Sequence, residues 1–222
     1  MPIKAVIFDM DGVLVNSEEY WLEERVAFAR DLGKPWTMDD QKLAMGRATL
    51  EWAEVMKERL HIDWTVQAIA DDMMRRIIAR YDDKLPELPG AVDAVHTAAS
   101  AYRVGLASGS PTPAIKEVMK LTELDKVFEV IIYGDDIPRG KPAPDIYLEA
   151  ARQLGVAPAE CIGIEDSANG LRSLKAAGMY AIAAPSPGFP LPDDVLALAE
   201  HVINGLAEFS VDLVRAIEQR SA

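Results

Sequence analysis

The sequence predicts an α/β protein with a Rossmann-like parallel-sheet core, into which a small α-helical domain is inserted. Three observations support this prediction: short apolar runs recur along the chain, helix-length segments separate them, and one long stretch has helical spacing throughout. Strands that alternate with helices form a parallel sheet, because every return to the sheet needs a crossover connection. The 222 residues are enough for one core domain and a smaller insert.

Six apolar runs are predicted as strands because they are short and rich in branched residues. The first is residues 4–8, which end directly before Asp9 and Asp11. The others are residues 103–107, 130–133, 161–164, 180–183 and 201–203. Open parallel sheets bind ligands at the edge where the strands have their carboxyl ends. We therefore expect functional side chains directly after these runs.

Helices are predicted between the strands, at residues 91–101, 112–121, 144–154, 168–177 and 206–219. Residues 17–85 interrupt the alternation, because they contain no convincing strand. Their apolar residues recur at spacings of three and four, as in Trp52, Val55, Met56 and Leu60, which is typical of one helix face. We therefore expect a small helical inserted domain at residues 17–85 and a core domain formed by residues 1–16 and 86–222.

The composition limits the partners of the chain. Acidic residues outnumber basic ones 36 to 23, which gives a net charge of -13. Nucleic acids and anionic membrane surfaces attract positive proteins, so neither is expected as a partner. An anionic substrate must instead be held by a metal ion or by a few well-placed cations.

The cysteine content and the first residues indicate a cytoplasmic protein. Cys161 is the one cysteine, so no intramolecular disulfide can form, which fits a reducing compartment. It lies in an apolar run and is predicted to be a buried hydrophobic residue. The first run is short and meets two aspartates at once, unlike a signal peptide or a membrane span.

The first candidate for chemistry is the pair Asp9 and Asp11, followed by Gly12. In a loop closed by a glycine, the two carboxylates can point at a common centre. Two like charges this close are costly unless a cation neutralises them, which points to a hard divalent metal ion. The same pattern also occurs in ordinary turns and in calcium loops, so the pair alone does not decide the function.

The second candidate is Ser108 with Gly109, directly after a predicted strand. A hydroxyl and a glycine amide at this edge of the sheet can hold a phosphate group. The following Ser110 and Pro111 are typical of a helix start, with Ser110 as the N-cap residue. Both interpretations can hold together.

Two further candidates lie later in the chain. Lys141 is followed closely by Pro142 and Pro144, which fix the backbone beside it. In a chain short of positive charge, Lys141 is a candidate phosphate clamp, although a single lysine can also be a solvated surface residue. Glu165 and Asp166 follow an apolar strand and would complete a metal site with Asp9; alternatively, Asp166 or Ser167 caps the helix predicted from residue 168.

The order of these motifs resembles the haloacid dehalogenase-like superfamily, in particular its phosphatase and β-phosphoglucomutase group. The resemblance covers residues 3 to about 183, and the helical insert is similar to the cap of that group. It rests on four motifs: Asp9-Met10-Asp11-Gly12-Val13, Ser108, Lys141-Pro142 and Glu165-Asp166-Ser167.

The resemblance implies a role for each motif. Asp9 would attack phosphorus and form an aspartyl phosphate, while Asp11 would act as general acid and then as general base. Mg²⁺ would be held by Asp9, the backbone carbonyl of Asp11, and Asp166, with Glu165 in or near its shell. The remaining phosphoryl oxygens would be bound by Ser108, the amide of Gly109, and Lys141.

The resemblance assigns the choice of substrate to the cap. A β-phosphoglucomutase would have a histidine where this chain has Trp21, and a Gly-x-Ser-Arg motif where it has Gly46-Arg47-Ala48-Thr49. Gly46 and Arg47 are expected to reach down to the substrate, with Arg47 as a second anion contact or, alternatively, as an exposed residue at a helix start. Trp21 and Trp52 would line a wall against a sugar or pack the cap.

The function expected from these residues is Mg²⁺-dependent hydrolysis of a small phosphate monoester, namely a sugar phosphate. The alternative is a phosphosugar mutase, which shares every core residue. Haloacid dehalogenation would need neither Asp11 nor the Glu165-Asp166 pair, and a phospho-accepting module without turnover would not need Asp11. The expected partner is a small phosphorylated metabolite, and the expected state is a monomer or a weak homodimer.

Overall fold

Six parallel strands form one sheet in the computed structural model of the chain, which describes residues 2–44, 49–186 and 190–220. Their spatial order is β3-β2-β1-β4-β5-β6, so the first strand lies in the middle. The strands are β1 (Ala5–Phe8), β2 (Arg103–Ser108), β3 (Val130–Tyr133), β4 (Cys161–Glu165), β5 (Tyr180–Ala183) and β6 (His201–Val202). The predicted parallel α/β sheet is therefore confirmed.

The central strand β1 is buried on both faces, as expected for a sheet covered by helices on two sides. Its side chains alternate between two hydrophobic clusters: Val6 and Phe8 belong to one, and Ala5 and Ile7 to the other. Phe8 packs against the ring of Phe128, with 5.9 Å between the ring centroids. Full burial of one such side chain contributes about 1.5–3 kcal/mol to folding.

Four helices lie between β1 and residue 85 in the part of the chain that the structure describes. They are α1 (Glu18–Asp31), α2 (Met38–Ala44), α3 (Thr49–Leu60) and α4 (Val66–Asp83). The predicted helical spacing is confirmed in α3, where Trp52, Met56 and Leu60 are buried on one face. Two backbone hydrogen bonds pair the segments that leave and re-enter the sheet region, from Asn16 N to Pro86 O (2.8 Å) and from Leu88 N to Leu14 O (2.9 Å).

The remaining helices cover the two faces of the sheet. They are α5 (Ala91–Ala99), α6 (Thr112–Thr122), α7 (Asp145–Leu154), α8 (Ala168–Ala176), α9 (Asp193–Leu196) and α10 (Val211–Arg220). Side chains from α5, α6 and α10 share the cluster of Val6 and Phe8, whereas α7 and α8 share the cluster of Ala5 and Ile7. The core therefore has three layers, helix, sheet and helix.

The last predicted helix differs from the observed one. Residues 206–219 were expected to be continuous, but the structure has a short 3-10 turn at Leu206–Glu208, and α10 begins at Val211. Phe209 has extended backbone angles (φ -67°, ψ 136°), which end the turn. The hydroxyl of Ser210 then accepts a hydrogen bond from Leu213 N at 3.1 Å, as an N-cap does at a new helix start. The short helix α9 was not predicted.

No helix in residues 2–44, 49–186 or 190–220 is both long enough and apolar enough to cross a membrane.

Candidate active site

Three polar side chains lie at the carboxyl ends of neighbouring strands. Asp9 follows β1, Ser108 is the last residue of β2, and Glu165 is the last residue of β4. The strands are in parallel register, with Phe8 opposite Leu106 on one side and Ile164 on the other. This register brings the three side chains to one edge of the sheet, as the sequence predicted.

Lys141 connects these strand ends from the loop before α7. Its Nζ atom donates hydrogen bonds to Asp9 Oδ1 at 2.6 Å, to Glu165 Oε1 at 2.7 Å and to the backbone oxygen of Ala107 at 3.2 Å. The side chain is 14% exposed, so Lys141 is not a solvated surface lysine. Ser173 of α8 donates to the backbone oxygen of Ala143 at 2.6 Å and ties the same loop to the core.

Glu165 is fully buried, and both of its carboxylate oxygens accept hydrogen bonds. Oε1 accepts from Lys141 and from the hydroxyl of Tyr147, each at 2.7 Å. Oε2 accepts from the amides of Asp166 and Ser167, each at 3.1 Å, and from the Ser167 hydroxyl at 2.9 Å. The charge of Glu165 is therefore compensated by one cation and four neutral donors.

Ser167 also caps α8, as one of the two interpretations of this motif predicted. Its hydroxyl oxygen accepts a hydrogen bond from Gly170 N at 3.0 Å. A Cβ atom at residue 170 would lie 1.8 Å from Glu165 Oε1, so a glycine is needed there to leave room for the buried carboxylate. The first turn of α8 thus holds Glu165 in place.

Three serine hydroxyls donate to the carboxylate of Asp11. Ser17 donates to Oδ1, while Ser110 and Ser108 donate to Oδ2 at 2.7 Å and 3.3 Å. The expectation that Ser110 caps the next helix is wrong, because α6 begins at Thr112. The first amide of α6, that of Thr112, donates to the carboxylate of Asp135 instead.

Asp135 joins the start of α6 to the start of α3. Its Oδ2 accepts hydrogen bonds from the amide and the hydroxyl of Thr112 at 2.8 Å and 2.9 Å. Its Oδ1 accepts from the hydroxyl of Thr49, the first residue of α3, at 3.0 Å. A single carboxylate therefore bridges the loop after β2 and the start of α3.

The acidic residues form a group that fits a metal ion. Carboxylate oxygens of Asp9, Glu165 and Asp166 lie within 4.8 Å of one another. Burial raises the pKa of Asp9 to about 8, an effect that the charges of Glu165 and Asp11 reinforce and Lys141 opposes. Burial likewise raises the pKa of Asp166 to about 9, with further contributions from Glu165 and Asp9. The buried carboxylates outnumber the cations beside them, and their oxygens are suitable ligands for a hard divalent ion.

In the ion pair between Lys141 and Glu165, the pKa shifts favour the charged forms, in contrast to those of Asp9 and Asp166. Although burial disfavours its charge, Lys141 and the Tyr147 hydroxyl hold the pKa of Glu165 below its ordinary value. Burial also disfavours the charge of Lys141, but Asp9 and Glu165 raise its pKa well above the ordinary value. Both groups are therefore charged at neutral pH.

The remaining predicted residues are placed as follows. Gly109 follows Ser108 and is exposed. Gly46 and Arg47 lie outside the described residues. Trp21 and Trp52 are buried, with ring centroids 5.4 Å apart, which fits packing of α1 against α3.

Sequence reasoning missed Ser17, Ser110 and Tyr147 as neighbours of the acidic residues. For Tyr147 a signal exists, because a buried tyrosine hydroxyl usually needs a hydrogen-bond partner and this tyrosine lies within a predicted core helix. For Ser17 and Ser110 the sequence offers no such signal, since their contacts depend on how two loops approach each other.

Comparison with known proteins relates this geometry to a family. The phosphorylated carbohydrates phosphatase of Thermotoga maritima is 32% identical over 181 residues, which cover 81% of this chain and 84% of that protein. Hexitol phosphatase B of Escherichia coli K12 is 30% identical over 220 residues, covering 94% of this chain and 95% of that protein.

Solved structures show the same fold. CbbY from Rhodobacter sphaeroides in complex with phosphate matches with a TM-score of 0.85 and 25% identity, over 96% of this chain and 99% of that chain. An Asp→Asn variant of the same protein in complex with xylulose-(1,5)bisphosphate matches with a TM-score of 0.82 and 26% identity. This match covers 93% of this chain and 96% of that chain. A family model for haloacid dehalogenase-like hydrolases matches residues 3–178. This match spans most of the chain, which therefore belongs to the haloacid dehalogenase-like hydrolase family.

Proposed function

We propose that this chain is a Mg²⁺-dependent phosphatase that hydrolyses a small phosphorylated carbohydrate through an aspartyl phosphate at Asp9. The observation that carries the proposal is the convergence of Asp9, Lys141 and Asp166 at one edge of the sheet, with Asp11 beside them. The similarity to the phosphorylated carbohydrates phosphatase and to hexitol phosphatase B supports this substrate class.

The proposed reaction has two steps. In the first, a carboxylate oxygen of Asp9 forms a bond to phosphorus, the ester P–O bond breaks, and the leaving oxygen takes a proton from Asp11. In the second, Asp11 takes a proton from a water molecule, whose oxygen attacks phosphorus and releases Asp9 and inorganic phosphate. A carboxyl group that serves both steps must change its protonation state within each cycle.

The charge of the transferring phosphoryl group needs compensation in both steps. Lys141, the hydroxyl of Ser108 and the amide of Gly109 are proposed to bind its oxygens. The side chains of Asp9 and Asp166 and the backbone carbonyl of Asp11 would hold Mg²⁺, with Glu165 in or near its shell. When bound, the ion supplies positive charge to the phosphoryl oxygens.

Selection of the substrate is proposed to lie in the cap at residues 17–85, between the core segments 1–16 and 86–222. The two hydrogen bonds that join residues 14–16 to residues 86–88 support this division, because they bring both crossing segments together. Gly46 and Arg47 are proposed to contact the non-reacting part of the substrate, with Arg47 as a second anion contact. Trp21, in place of the histidine of a β-phosphoglucomutase, favours hydrolysis over the mutase alternative.

We also propose that the protein acts in the cytoplasm as a monomer or weak homodimer. The single cysteine of the sequence, the buried Cys161, supports this compartment, because no intramolecular disulfide can form.

The experiment that tests the function is a screen of purified protein against sugar phosphates and sugar-alcohol phosphates, with Mg²⁺ or with EDTA. We expect release of inorganic phosphate that depends on Mg²⁺. Formation of an isomer that requires a bisphosphate primer, without net release of phosphate, would instead identify a mutase. A protein that neither hydrolyses nor isomerises any compound of a broad panel would overturn the proposal.

A further inference from the structure

We propose that Tyr147 is a positioning residue for the reaction: its hydroxyl fixes the carboxylate of Glu165, and Glu165 in turn fixes the ammonium group of Lys141 against Asp9. The inference rests on the proposed function, because it concerns the phosphoryl-binding lysine and the nucleophile of that reaction. It assigns a role to a side chain outside the four motifs.

Tyr147 touches both members of the buried ion pair. It is the third residue of α7 and is fully buried. Its hydroxyl donates to Glu165 Oε1 at 2.7 Å. Its ring centroid lies 4.9 Å from Lys141 Nζ, within the range of a cation–π contact. The lysine is therefore confined by the ring of Tyr147 as well as by the carboxylate that the same residue holds.

The carboxylate of Glu165 has little freedom to move. Five donor groups reach its two oxygens, and a carboxylate offers about four lone-pair positions. Rotation about its terminal bond would break several of these contacts at once. Because both of its oxygens are engaged by these donors, Glu165 lies near the proposed Mg²⁺ shell and holds Lys141 from there.

The ammonium group of Lys141 has three protons and three acceptors: Asp9 Oδ1, Glu165 Oε1 and the backbone oxygen of Ala107. Asp9 and Ala107 belong to the strand ends at this edge of the sheet. Oε2 of Glu165 is held by Asp166 and Ser167 at the start of α8, whereas Oε1, the atom that Lys141 contacts, is held by the Tyr147 hydroxyl. Loss of the tyrosine hydroxyl would leave Oε1 with Lys141 as its remaining donor and would allow Oε1 and the ammonium group to shift together relative to Asp9.

Packing alone does not explain a tyrosine at residue 147. The other buried residues of α7 are apolar, namely Ile146, Ala150, Ala151 and Leu154. A phenylalanine would fill the same space, since it differs only by the hydroxyl group. The hydroxyl is what links this face of α7 to the carboxylate of Glu165.

The test is Tyr147→Phe, with Tyr180→Phe as the matched control. Tyr180 is the first residue of β5, so it lies at the edge of the sheet opposite the site. We expect kcat of Tyr147→Phe to fall about 10-fold and KM to rise at most about 5-fold, because Lys141 contacts the phosphoryl group in the bound substrate and more strongly in the transition state. Tyr180→Phe should keep both constants. A kcat for Tyr147→Phe within about 2-fold of wild type would overturn the inference.

A double-mutant cycle tests whether Tyr147 acts through Glu165. We expect Glu165→Gln to lower kcat about 100-fold, and Tyr147→Phe added to it to cause less than about 2-fold further loss, because the two changes remove one chain of contacts. If the double variant instead loses kcat by the product of the two single losses, Tyr147 acts independently of Glu165 and the inference is overturned. All variants are assayed at a temperature at which thermal melts show them folded.

A binding measurement separates this inference from the proposed function. Calorimetric titration with inorganic phosphate in the presence of Mg²⁺ needs no turnover. We expect phosphate to bind Tyr147→Phe about 5-fold more weakly than wild type, and Tyr180→Phe like wild type, because Lys141 is a proposed phosphate contact. Equal binding by all three proteins would overturn the inference while the hydrolysis assay stands. Weakened binding without hydrolysis of any ester would instead contradict the proposed function.

Discussion

Gly12 and Asp166 lie in direct contact, although they belong to loops that follow different strands. A Cβ atom at residue 12 would lie 1.8 Å from Asp166 Oδ2, and the glycine has a φ of +76°, in the left-handed region. The backbone after β1 therefore approaches the carboxylate after β4 more closely than any other residue type would allow. This contact agrees with the proposal that the Asp11 carbonyl and Asp166 bind one ion.

Gly12→Ala is predicted to disrupt this contact. The new methyl group would displace Asp166, so we expect activity to fall by at least about 100-fold, and the strained φ would cost about 1–3 kcal/mol of stability. Gly178→Ala is the matched control, because Gly178 has a φ of +75° and nothing within 4 Å of its Cβ position. It should lose stability but keep its activity. Activity of Gly12→Ala close to that of Gly178→Ala would contradict the proposed ion site.

The stability of the metal-free protein is predicted to decrease as the pH rises from about 5 to about 8. Asp9 and Asp166 have a pKa raised from 3.8 to about 8 and about 9, so the folded state binds more protons than the unfolded state in this interval. Their contribution is present at low pH and is lost as the pH rises. The lowered pKa of Glu165 acts in the opposite direction, but only below its ordinary value of 4.5.

Addition of Mg²⁺ should reverse this loss, because metal ions bind the ionised carboxylates and compete with protons. Thermal melts in EDTA and in Mg²⁺ measure the effect, and we expect the stabilisation by Mg²⁺ to be larger at pH 8 than at pH 5. Asp9→Asn lacks one of the two carboxyl groups with a raised pKa, so its melting temperature without metal should depend less on pH. A metal-free protein that is equally stable at both pH values would contradict the raised pKa of Asp9 and Asp166.

Cys161 is predicted to be unreactive in the folded protein. It is fully buried, and burial raises the pKa of its thiol to about 12. Because the thiolate is the reactive form, a thiol reagent should label Cys161 only after unfolding. The rate of labelling, followed with increasing urea, should track the unfolding transition. Rapid labelling without denaturant would show that β4 is more accessible than the structure indicates.

Thr49→Val is predicted to weaken the connection between α3 and the core. It removes the hydrogen bond to Asp135 but leaves the two bonds from Thr112 that cap α6. Since Thr49 lies two residues after Arg47 in the sequence, we expect KM to rise about 3-fold, which corresponds to an exposed hydrogen bond of about 0.7 kcal/mol. Thr49→Ser keeps the hydroxyl and serves as control. Equal KM values for Val and Ser would contradict a role of this contact in substrate binding.

The sequence was sufficient to predict the strands, because their buried apolar runs differ clearly from the surrounding helices. Asp9, Ser108 and Glu165 could be placed together for the same reason: each one ends or directly follows such a run, and parallel strands share one edge. Lys141 could be proposed from its prolines and from the scarcity of positive charge, but its three acceptors could not.

The contacts that the sequence did not reveal depend on distances between loops. Ser110 had the local pattern of an N-cap, yet it donates to Asp11, while Asp135 supplies the cap from another loop. The break at Phe209 also escaped prediction, because apolar residues on both sides continue the helical spacing. The local sequence pattern determines where helices and strands form. Tertiary contacts decide which residue caps a helix, or where a helix ends, when several choices fit the local pattern equally well.

The role of Asp9 can be measured directly by the release of inorganic phosphate from a sugar phosphate substrate by wild type and by Asp9→Asn, each with Mg²⁺ and with EDTA. Asp9→Asn has almost the same shape but lacks the nucleophilic carboxylate. We predict that wild type releases phosphate only with Mg²⁺ and that Asp9→Asn is slower by at least about 1,000-fold while it remains folded. Turnover by Asp9→Asn close to the wild-type rate would contradict the aspartyl-phosphate mechanism.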